Sequence, residues 1–346
     1  MKKHELWEYF DAIQLPEQTR ETALHHVLHP EEGGRPVKYI LHVSRLAAVA
    51  AAVVLITVGV CVAATVFQWN EKFAELFQPT ASQMEALQGA TSQPQASVTQ
   101  NGVTVTVRQT LADQHGIYVL CDIEGPEDLT FTEDMKWKRY WLNADYQEDA
   151  SKPSVYGLGS CGSQIASQEG NRRSELFYCN GNGILQNQEM ELTLENLGYY
   201  QVSGYDDNGE PNDWTFCTVA EGTWTLTWDF TYENLTKTIP VNETVVMPAG
   251  PIAPEHTTKV LTVEVSPISL WVIIEGPSQM GGNHPIITYR DGTQEAIYKG
   301  TGWSSYASMD VEREGGVWYF NCQFDQITDI SDIVSVTWGS LTIPVA

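Results

Sequence analysis

The chain has 346 residues, enough for roughly two or three domains with hydrophobic cores of their own, so its size creates no need for metal or disulfide staples. Its formal net charge is −25 at pH 7, and residues 1–45 contribute only one unit of it, with six Lys or Arg against seven Asp or Glu. The remaining −24 would repel phosphate backbones and anionic lipid head groups, which argues against direct nucleic-acid binding by the bulk of the chain.

The first 30 residues predict two short amphipathic helices. In KHELWEYFDAI (3–13), one apolar helix face is formed at the spacing i, i+3, i+4, i+7 by Leu6, Tyr9, Phe10 and Ile13. A second helix is predicted to follow Pro16 and to end before Pro30. Because two helices this short cannot close a core, the face of the first is predicted to bind a partner, either another protein or the membrane surface.

A histidine cluster in the second helix invites a metal hypothesis. His25 and His29 stand at i and i+4, a spacing that can share one zinc ion, and His26 lies between them. The segment contains neither a cysteine nor an HExxH pattern. We therefore predict a solvated cluster, and the sequence predicts no metal site and no cofactor.

Residues 46–67 predict a single transmembrane helix. The 22 residues carry no charge, and at about 1.5 Å per residue they span a hydrocarbon core of about 30 Å. A secretory signal peptide would lie nearer the N-terminus, although cleavage near Ala64 is an alternative, as is a buried core helix. The basic residues just before the span are Arg35, Lys38 and Arg45. Their position predicts a cytoplasmic tail at 1–45 and an extracellular C-terminal part.

The extracellular part is predicted to be mainly β. Residues 68–96 mix Gln, Ser, Ala and Thr with a short helix-like stretch at 71–77, and are predicted to form a stalk. Period-two alternation then predicts two tandem immunoglobulin-like β-sandwich domains, at 97–248 and 249–346. Asn101-Gly102 between alternating β-branched residues predicts a tight hairpin.

An internal sequence similarity supports two similar units. The segment IYVLCDIEGP (117–126) resembles LWVIIEGP (270–277), and each follows a strand of alternating β-branched residues. Further on, TLTWDF (225–230) and VSVTW (334–338) each precede an IPV string, at 239–241 and 343–345. The spacing predicts an insertion in the first unit, within 131–200. Chance similarity of short β motifs is the alternative.

Cysteine usage predicts at least one disulfide. Cys61 lies in the predicted span, and five cysteines follow it. Both Cys161–Cys179 and Cys179–Cys217 are reasonable pairs in an exported domain, and connectivity cannot be deduced from sequence. Cys121 and Cys322 alternate with apolar residues and are predicted to be buried free thiols.

No catalytic constellation is recognisable, so the chain is predicted not to be an enzyme. GLGSCGS (157–163) fails the GxSxG pattern because Leu158 occupies the first glycine position, and it is predicted to be a turn. The acidic segment 206–213 offers oxygen ligands for calcium but lacks EF-hand spacing, which favours a solvated loop. Trp137 and Trp141 are most simply core residues, with an exposed carbohydrate- or peptide-binding platform as the alternative.

The overall architecture resembles a domain-of-unknown-function family of Gram-positive, single-pass, anti-sigma-factor-like membrane proteins with an immunoglobulin-like ectodomain. Four segments carry the resemblance: the tail beginning MKKHELWEYFDAI, the span RLAAVAAAVVLITVGV, FQWNEKFAELF, and the strand pair VTVTVRQTL…IYVLCDIEGP. The resemblance implies that the tail sequesters an extracytoplasmic-function sigma factor under control of the ectodomain. The chain lacks the HxxxCxxC motif of the zinc-containing anti-sigma class.

Three functions are therefore compared. A membrane regulator would bind a cytoplasmic partner, in the first instance a sigma factor, through its tail helices. A cell-surface adhesion protein would bind an envelope ligand through its β domains, with the tail as an anchor extension. An exported enzyme would need a catalytic site that the sequence does not display. The regulator is preferred, because a pure anchor has little use for apolar helical faces in the cytoplasm.

Overall fold

The structure is a computed structural model that describes residues 69–144, 146–147, 161–181, 184–205, 210–249, 254–276, 284–297, 304–310, 317–324 and 326–345. The predicted tail and its face, Leu6, Tyr9, Phe10 and Ile13, lie outside these residues, as does the predicted span at 46–67. Within the described ranges, no helix is long and apolar enough to cross a membrane. The described chain is mainly β, as the alternation predicts.

Two short helices open the described chain: α1 (Glu71–Phe77) and α2 (Ala81–Ala86), followed by a 3-10 turn at Gln88–Ala90. The Asn70 side chain caps α1 by accepting from the Lys72 amide, and Gln78 ends it in the left-handed conformation. Thr80 and Gln83 form a capping box on α2. Both helices are packed against strands, which differs from the stalk predicted at 68–96.

The described part of the first β domain contains eleven strands: β1 (Thr91–Ser92), β2 (Ser97–Gln100), β3 (Val103–Ala112), β4 (Gly116–Glu124), β5 (Lys136–Asn143), β6 (Tyr146–Gln147), β7 (Cys161–Glu169), β8 (Arg172–Asn180), β9 (Ile184–Leu185), β10 (Gln188–Tyr205) and β11 (Pro211–Phe230). One sheet has the order β1-β3-β4-β8-β7, with β2 also paired to β3, and another has the order β11-β10-β5. The short strands β6 and β9 pair with each other.

The second β domain contains β12 (Lys237–Met247), β13 (His256–Val265), β14 (Ser269–Glu275), β15 (Ile286–Tyr289), β16 (Gln294–Ala296), β17 (Ser304–Asp310), β18 (Val317–Gln323), β19 (Ile333–Trp338) and β20 (Leu341–Pro344), with a 3-10 turn at Ile330–Asp332. Its two sheets have the orders β12-β13-β14-β18-β17 and β16-β15-β19-β20. Every strand pair among the described residues is antiparallel.

Each domain has a hydrophobic core between its two larger sheets. In the first, Val105, Val119 and Phe177 from one sheet meet Leu194 and Trp224 from the other. In the second, inward residues of β12, β13, β14 and β18 meet Ile287, Val336 and Trp338. Alternate residues of these strands point into the core, which is why period two dominates the sequence after residue 97.

The internal sequence similarity corresponds to a repeated strand order, but matching TLTWDF to VSVTW and one IPV string to the other was wrong. The order β3-β4-β8-β7 recurs as β13-β14-β18-β17, and β5-β10-β11 recurs as β15-β19-β20. VSVTW therefore lies in the counterpart of β10, whereas TLTWDF lies in β11. The first IPV string lies in β12, which pairs with β13 of the second domain. The domains thus meet between β11 and β12, before the predicted boundary at 248/249.

The predicted hairpin at Asn101-Gly102 is confirmed. Gln100 pairs with Val103 across a two-residue loop. Asn101 has φ 48° and Gly102 has φ 79°, as a type I′ turn requires at both central positions. The local sequence was sufficient here because few residue pairs adopt two consecutive positive φ angles at low cost.

The cysteine predictions are settled for the described residues. Cys161 and Cys179 are directly opposite on β7 and β8 and form a disulfide, so the alternative pair Cys179–Cys217 is wrong. Cys121 and Cys322 are buried thiols outside the disulfide, as predicted, while Cys217 is a half-buried thiol. Burial, with smaller contributions from Glu175 and Asp122, raises the pKa of the Cys121 thiol.

These environments predict the order in which the cysteines react. In the folded protein an alkylating reagent is expected to modify Cys217 first. Cys121 and Cys322 should react only after denaturation, because their sulfur atoms are buried, and Cys161 and Cys179 only after reduction. Peptide-resolved mass spectrometry of stepwise-labelled protein measures this order. Labelling of Cys161 without reduction would contradict the assigned disulfide.

Candidate functional site

The outer face of the first sheet is covered by the two helices. On β4, Ile117 and Val119 point into the domain core, while Tyr118 and Leu120 point outward and are also buried. This outward face packs against α1, α2 and residues of the second domain, and we name the resulting apolar cluster the junction. Its buried members are Trp69, Phe73, Ala74, Phe77, Met84, Leu87, Ala90, Leu111, Tyr118, Leu120, Leu176, Tyr178, Ile268 and Ile327.

A continuous series of aromatic rings crosses the junction. Trp69, the first described residue, has its ring centre 5.9 Å from that of Phe73, which lies 5.0 Å from Phe77. Phe77 in turn lies 4.8 Å from Tyr118, and Tyr118 lies 4.6 Å from Tyr178. Such tilted and edge-on pairs are favourable beyond the area they bury. The series therefore links the start of α1 to the middle of the first sheet.

The second domain is bound directly to the same helices and rings. The Ile327 amide donates to the Phe77 carbonyl at 3.3 Å, and the Gln83 Nε2 amide donates to the Ile327 carbonyl at 3.0 Å. Gln323 donates from Nε2 to the Tyr178 hydroxyl at 2.5 Å. The helices are thus held by both β domains at once.

Next to the apolar junction, two equivalent turns meet in a buried polar contact. The turn between β3 and β4 contains Asp113, and the corresponding turn between β13 and β14 contains Ser266 and leads to Ser269, the first residue of β14. Asp113 Oδ1 accepts from the amides of His115 and Gly116, at 2.9 and 2.8 Å. Its Oδ2 accepts from the hydroxyls of Ser266, at 2.6 Å, and Ser269. One carboxylate therefore orders its own turn and holds the turn of the other domain.

A second polar contact connects the domains beside Asp113. His115 Nε2 lies 2.5 Å from Glu264 Oε2, and the two side chains are 4% and 0% exposed. The His115 ring stacks on Trp271 with ring centres 4.1 Å apart. Gln114 adds contacts to Asn234 and Thr236 on the segment between the domains. A buried polar network of this kind favours one defined arrangement of the two domains, because each group left unpaired would be costly.

The core of the first β domain contains a buried carboxylate, Glu175, whose contacts are with structural residues of that core. Glu175 is 3% exposed and accepts from Trp137 Nε1 at 3.2 Å. Burial raises the pKa of Glu175, opposed by hydrogen bonding from Ser163 and by the nearby Arg173 charge. Trp137 is buried against Trp224, whereas Trp141 is 37% exposed. The two tryptophans therefore do not form the platform considered as an alternative.

A charged groove next to α1 is lined by cations that form ion pairs with carboxylates. It is lined by the cations Lys72, Arg108 and Arg172 among others. Arg108 pairs with Asp122 at 2.7 Å, and Arg172 pairs with Glu124 at 3.0 Å. Because neighbouring carboxylates neutralise these cations, the groove is a set of surface ion pairs rather than an anion site.

The remaining sequence candidates fall largely outside the described residues. These include His25, His26 and His29, residues 157–160 of the GLGSCGS segment, and 206–209 of the acidic loop. Among the residues that are described, no group of three or more His, Cys, Asp or Glu could hold a metal ion. The junction was not predicted from the sequence. Its signal there is the pair Tyr118 and Leu120, whose apolar side chains on the outward face of β4 indicate a covering layer.

Comparisons with known proteins identify a family match but no function. Residues 41–125 match a family described as "Domain of unknown function (DUF4179)". The match runs from just before the predicted span through both helices to the end of β4. A structure titled "The crystal structure of the conserved domain protein from Bacillus anthracis" is similar, with a TM-score of 0.42 and 10% identity over 71% of this chain and 75% of that chain. None of the curated proteins matches the sequence.

Proposed function

We propose that the protein is a membrane-anchored signalling regulator, an anti-sigma factor whose cytoplasmic tail binds an extracytoplasmic-function sigma factor under control of the ectodomain. In this proposal residues 46–67 cross the cell membrane once. The tail lies in the cytoplasm, and the two β domains, immunoglobulin-like sandwiches, lie outside. The tail face Leu6, Tyr9, Phe10 and Ile13 is the partner-binding surface.

The observation that carries the proposal is the junction. Trp69 stands two residues after the end of the proposed span, and its ring begins the aromatic series that reaches Tyr178. The same helices are hydrogen-bonded to Ile327 of the second domain. A flexible stalk would isolate a span from the β domains, whereas Trp69 and the helices that follow the proposed span are packed against them. A change in how the β domains pack would therefore act on the outer end of the span.

The proposed control of the tail by the ectodomain has a thermodynamic limit. An external ligand can shift the protein between two arrangements only by the difference in its affinity for them. The contacts that differ would be those of the junction and of the Asp113 turn, since these connect both domains to α1 and α2. The alternative function, adhesion to an envelope ligand, needs the β domains but no packing of α1 and α2 against them.

Capture of the cytoplasmic partner tests the proposal. The full chain is solubilised from its native cells and compared with the double variant Leu6→Asp and Phe10→Asp, which places charge on the apolar face. We expect a sigma factor with the unaltered chain and a loss of at least about tenfold with the variant, since two buried charges cost several kcal/mol.

The matched control is Glu8→Ala with Asp11→Ala, which alters the polar side of the same helix and should leave capture unchanged. Membrane fractionation of all three proteins shows whether the anchor is intact. Recovery of the same cytoplasmic proteins with the apolar-face variant would overturn the proposed interface. Surface binding that survives removal of residues 1–30, with no cytoplasmic partner, would support envelope adhesion instead.

A further inference from the structure

Three exposed aromatic side chains lie on one sheet of the first domain, the one with the order β11-β10-β5. Trp141 on β5, Tyr200 on β10 and Trp214 on β11 are 37%, 41% and 53% exposed. No other aromatic among the side chains that the structure describes is as exposed. Singly scattered exposed apolar residues need no explanation, whereas rings gathered on one sheet indicate an interaction surface.

All three rings are on the side of this sheet that points away from the core. The core residues of β10 are Met190, Leu192, Leu194 and Leu197. The residues next to these point the other way, because neighbours in a strand lie on opposite faces. Tyr200 is therefore outward, as is Thr193, which is paired with Trp141. Trp214 is paired with Val202, the second residue beyond Tyr200, and is outward too.

Polar side chains occupy the same face between the rings. On β11 the outward, exposed residues are Thr223, Thr225 and Thr227. Glu195 of β10 is opposite Arg139 of β5, and the Asn143 amide donates to Glu191 at 2.8 Å. The face is thus a row of rings separated by hydroxyl, amide and charged groups, rather than a continuous apolar patch.

Two lysines add positive charge beside the rings. Lys136 Nζ lies 5.4 Å from the centre of the Tyr200 ring, and Lys138 Nζ lies 5.9 Å from that of Phe216. Phe216 is opposite Tyr200, with ring centres 5.0 Å apart. Neither lysine forms an ion pair with a carboxylate in the part of the chain that the structure describes. In a strongly acidic chain, this local positive charge favours an anionic ligand.

We propose that this face binds a polysaccharide chain that carries anionic groups. Sugar rings have an apolar side that stacks on aromatic rings and hydroxyl groups that hydrogen-bond to polar side chains. Carboxylate or phosphate groups on the chain pair with Lys136 and Lys138. Nine residue steps of β10 separate Thr193 from Val202, the partners of Trp141 and Trp214. At about 3.4 Å per residue the face is about 30 Å long, which suits an extended chain.

Other classes of ligand fit this face less well. A protein partner of standard size buries about 800 Å² around an apolar centre, whereas here threonines and glutamates separate the rings. An extended peptide would pair with the edge of a sheet rather than with its face. A membrane surface would meet Glu191 and Glu195 together with the rings, and anionic lipids repel carboxylates. The inference rests on the proposed function only for the position of this face outside the cell.

Co-sedimentation with insoluble cell-wall polysaccharide tests the inference. The wall material is prepared from the native cells and freed of protein by protease and boiling detergent, and the full chain is added in a mild detergent. We expect binding that weakens at high salt, because salt screens the lysine charges. Tyr200→Ala with Trp214→Ala should lower the affinity about tenfold, and Trp141→Ala about threefold, since each removes stacking contacts. Lys136→Gln with Lys138→Gln should lower the affinity and remove the salt dependence.

Matched changes on the second domain serve as controls. Val334→Ala, at a 41% exposed valine, and Lys259→Gln should leave binding unchanged. Thermal unfolding of each variant shows that the chain still folds. Mild acid removes phosphate polymers from the wall material and so identifies the anion. Binding lost after this treatment assigns phosphate groups, and binding retained assigns carboxylates of the sugars themselves.

Failure of the unaltered chain to co-sediment, or equal binding by the ring variants, overturns the inference. If the ring variants instead lost a protein recovered from the native cells while wall binding stayed the same, the face would belong to a protein partner and the inference would be wrong. The assay in detergent uses neither the tail nor the anchor. Its failure therefore leaves the proposed function standing, and failure of sigma-factor capture leaves wall binding standing.

Discussion

Replacing Phe77 with alanine is expected to lower the free energy of unfolding by about 3–5 kcal/mol, the usual cost of removing a buried aromatic ring. Phe77 is 4% exposed, and its ring contacts Phe73 on one side and Tyr118 on the other. A helix of seven residues is not stable by itself, so α1 depends on this packing. The variant should therefore loosen both helices and the Ile327 segment that is hydrogen-bonded to them.

Denaturant unfolding of the full chain in detergent, followed by tryptophan fluorescence, measures this effect. Hydrogen exchange of the α1 and α2 amides should rise in the same variant. The control is Glu75→Ala on the same helix, where the side chain is 64% exposed and forms a surface ion pair with Lys72. Its effect should stay within about 0.5 kcal/mol. Equal stability of the two variants would show that the junction does not hold the helices.

Replacing Asp113 with alanine is expected to cost about 3–5 kcal/mol and to weaken the connection between the two β domains. The carboxylate is 2% exposed and accepts four hydrogen bonds, two from its own turn and two from Ser266 and Ser269. Removing it leaves buried donors unpaired, at about 1–3 kcal/mol for each one that finds no substitute. Calorimetry should show a transition that broadens or separates into two, because the domains no longer unfold together.

A double-mutant cycle with Ser266→Ala distinguishes the contact between domains from the order of the turn. If Asp113 acts across the domains, the double variant should be less destabilised than the sum of the single variants. Asp291→Ala is the matched control, since Asp291 also accepts from a turn, at Thr293, but is exposed. Its effect should be small. Additive effects in the cycle would limit Asp113 to its own turn.

The two predictions bear on the proposed regulator in different ways. Phe77 connects the first β domain to the helices that follow the proposed span, whereas Asp113 connects the two β domains to each other. Loss of external control with partner capture intact is the expected phenotype of the Phe77 variant in cells. Loss of capture itself is expected only from the tail face, so the two classes of variant separate coupling from binding.

The apolar pattern of β4 shows which features of the fold could be predicted from the sequence. Alternation of Ile117, Val119, Cys121 and Ile123 predicted a strand with one buried face, and that face lies in the core. Tyr118 and Leu120 make the run almost continuously apolar, which is typical of a strand buried on both faces. The same feature occurs in β14, where Trp271 and Ile273 are buried on the second face. The sequence thus contained evidence for a covering layer but not its identity.

Local chemistry by itself determined several features of this protein. Period-two alternation determined a mainly β chain, Asn101-Gly102 determined a hairpin, and alternation with apolar neighbours determined the burial of Cys121 and Cys322. Each depends on residues close together in the chain, whose steric and burial preferences are sufficient.

Tertiary structure alone decided which distant residues meet. It joined Cys161 to Cys179, moved the first IPV string into the second domain, and packed the predicted stalk into the junction. It also brought Asp113 to Ser266 and Ser269. These contacts span from 18 to more than 150 positions in the sequence. Short apolar and polar segments of this kind are compatible with many partners, and only the packing of the whole chain selects one.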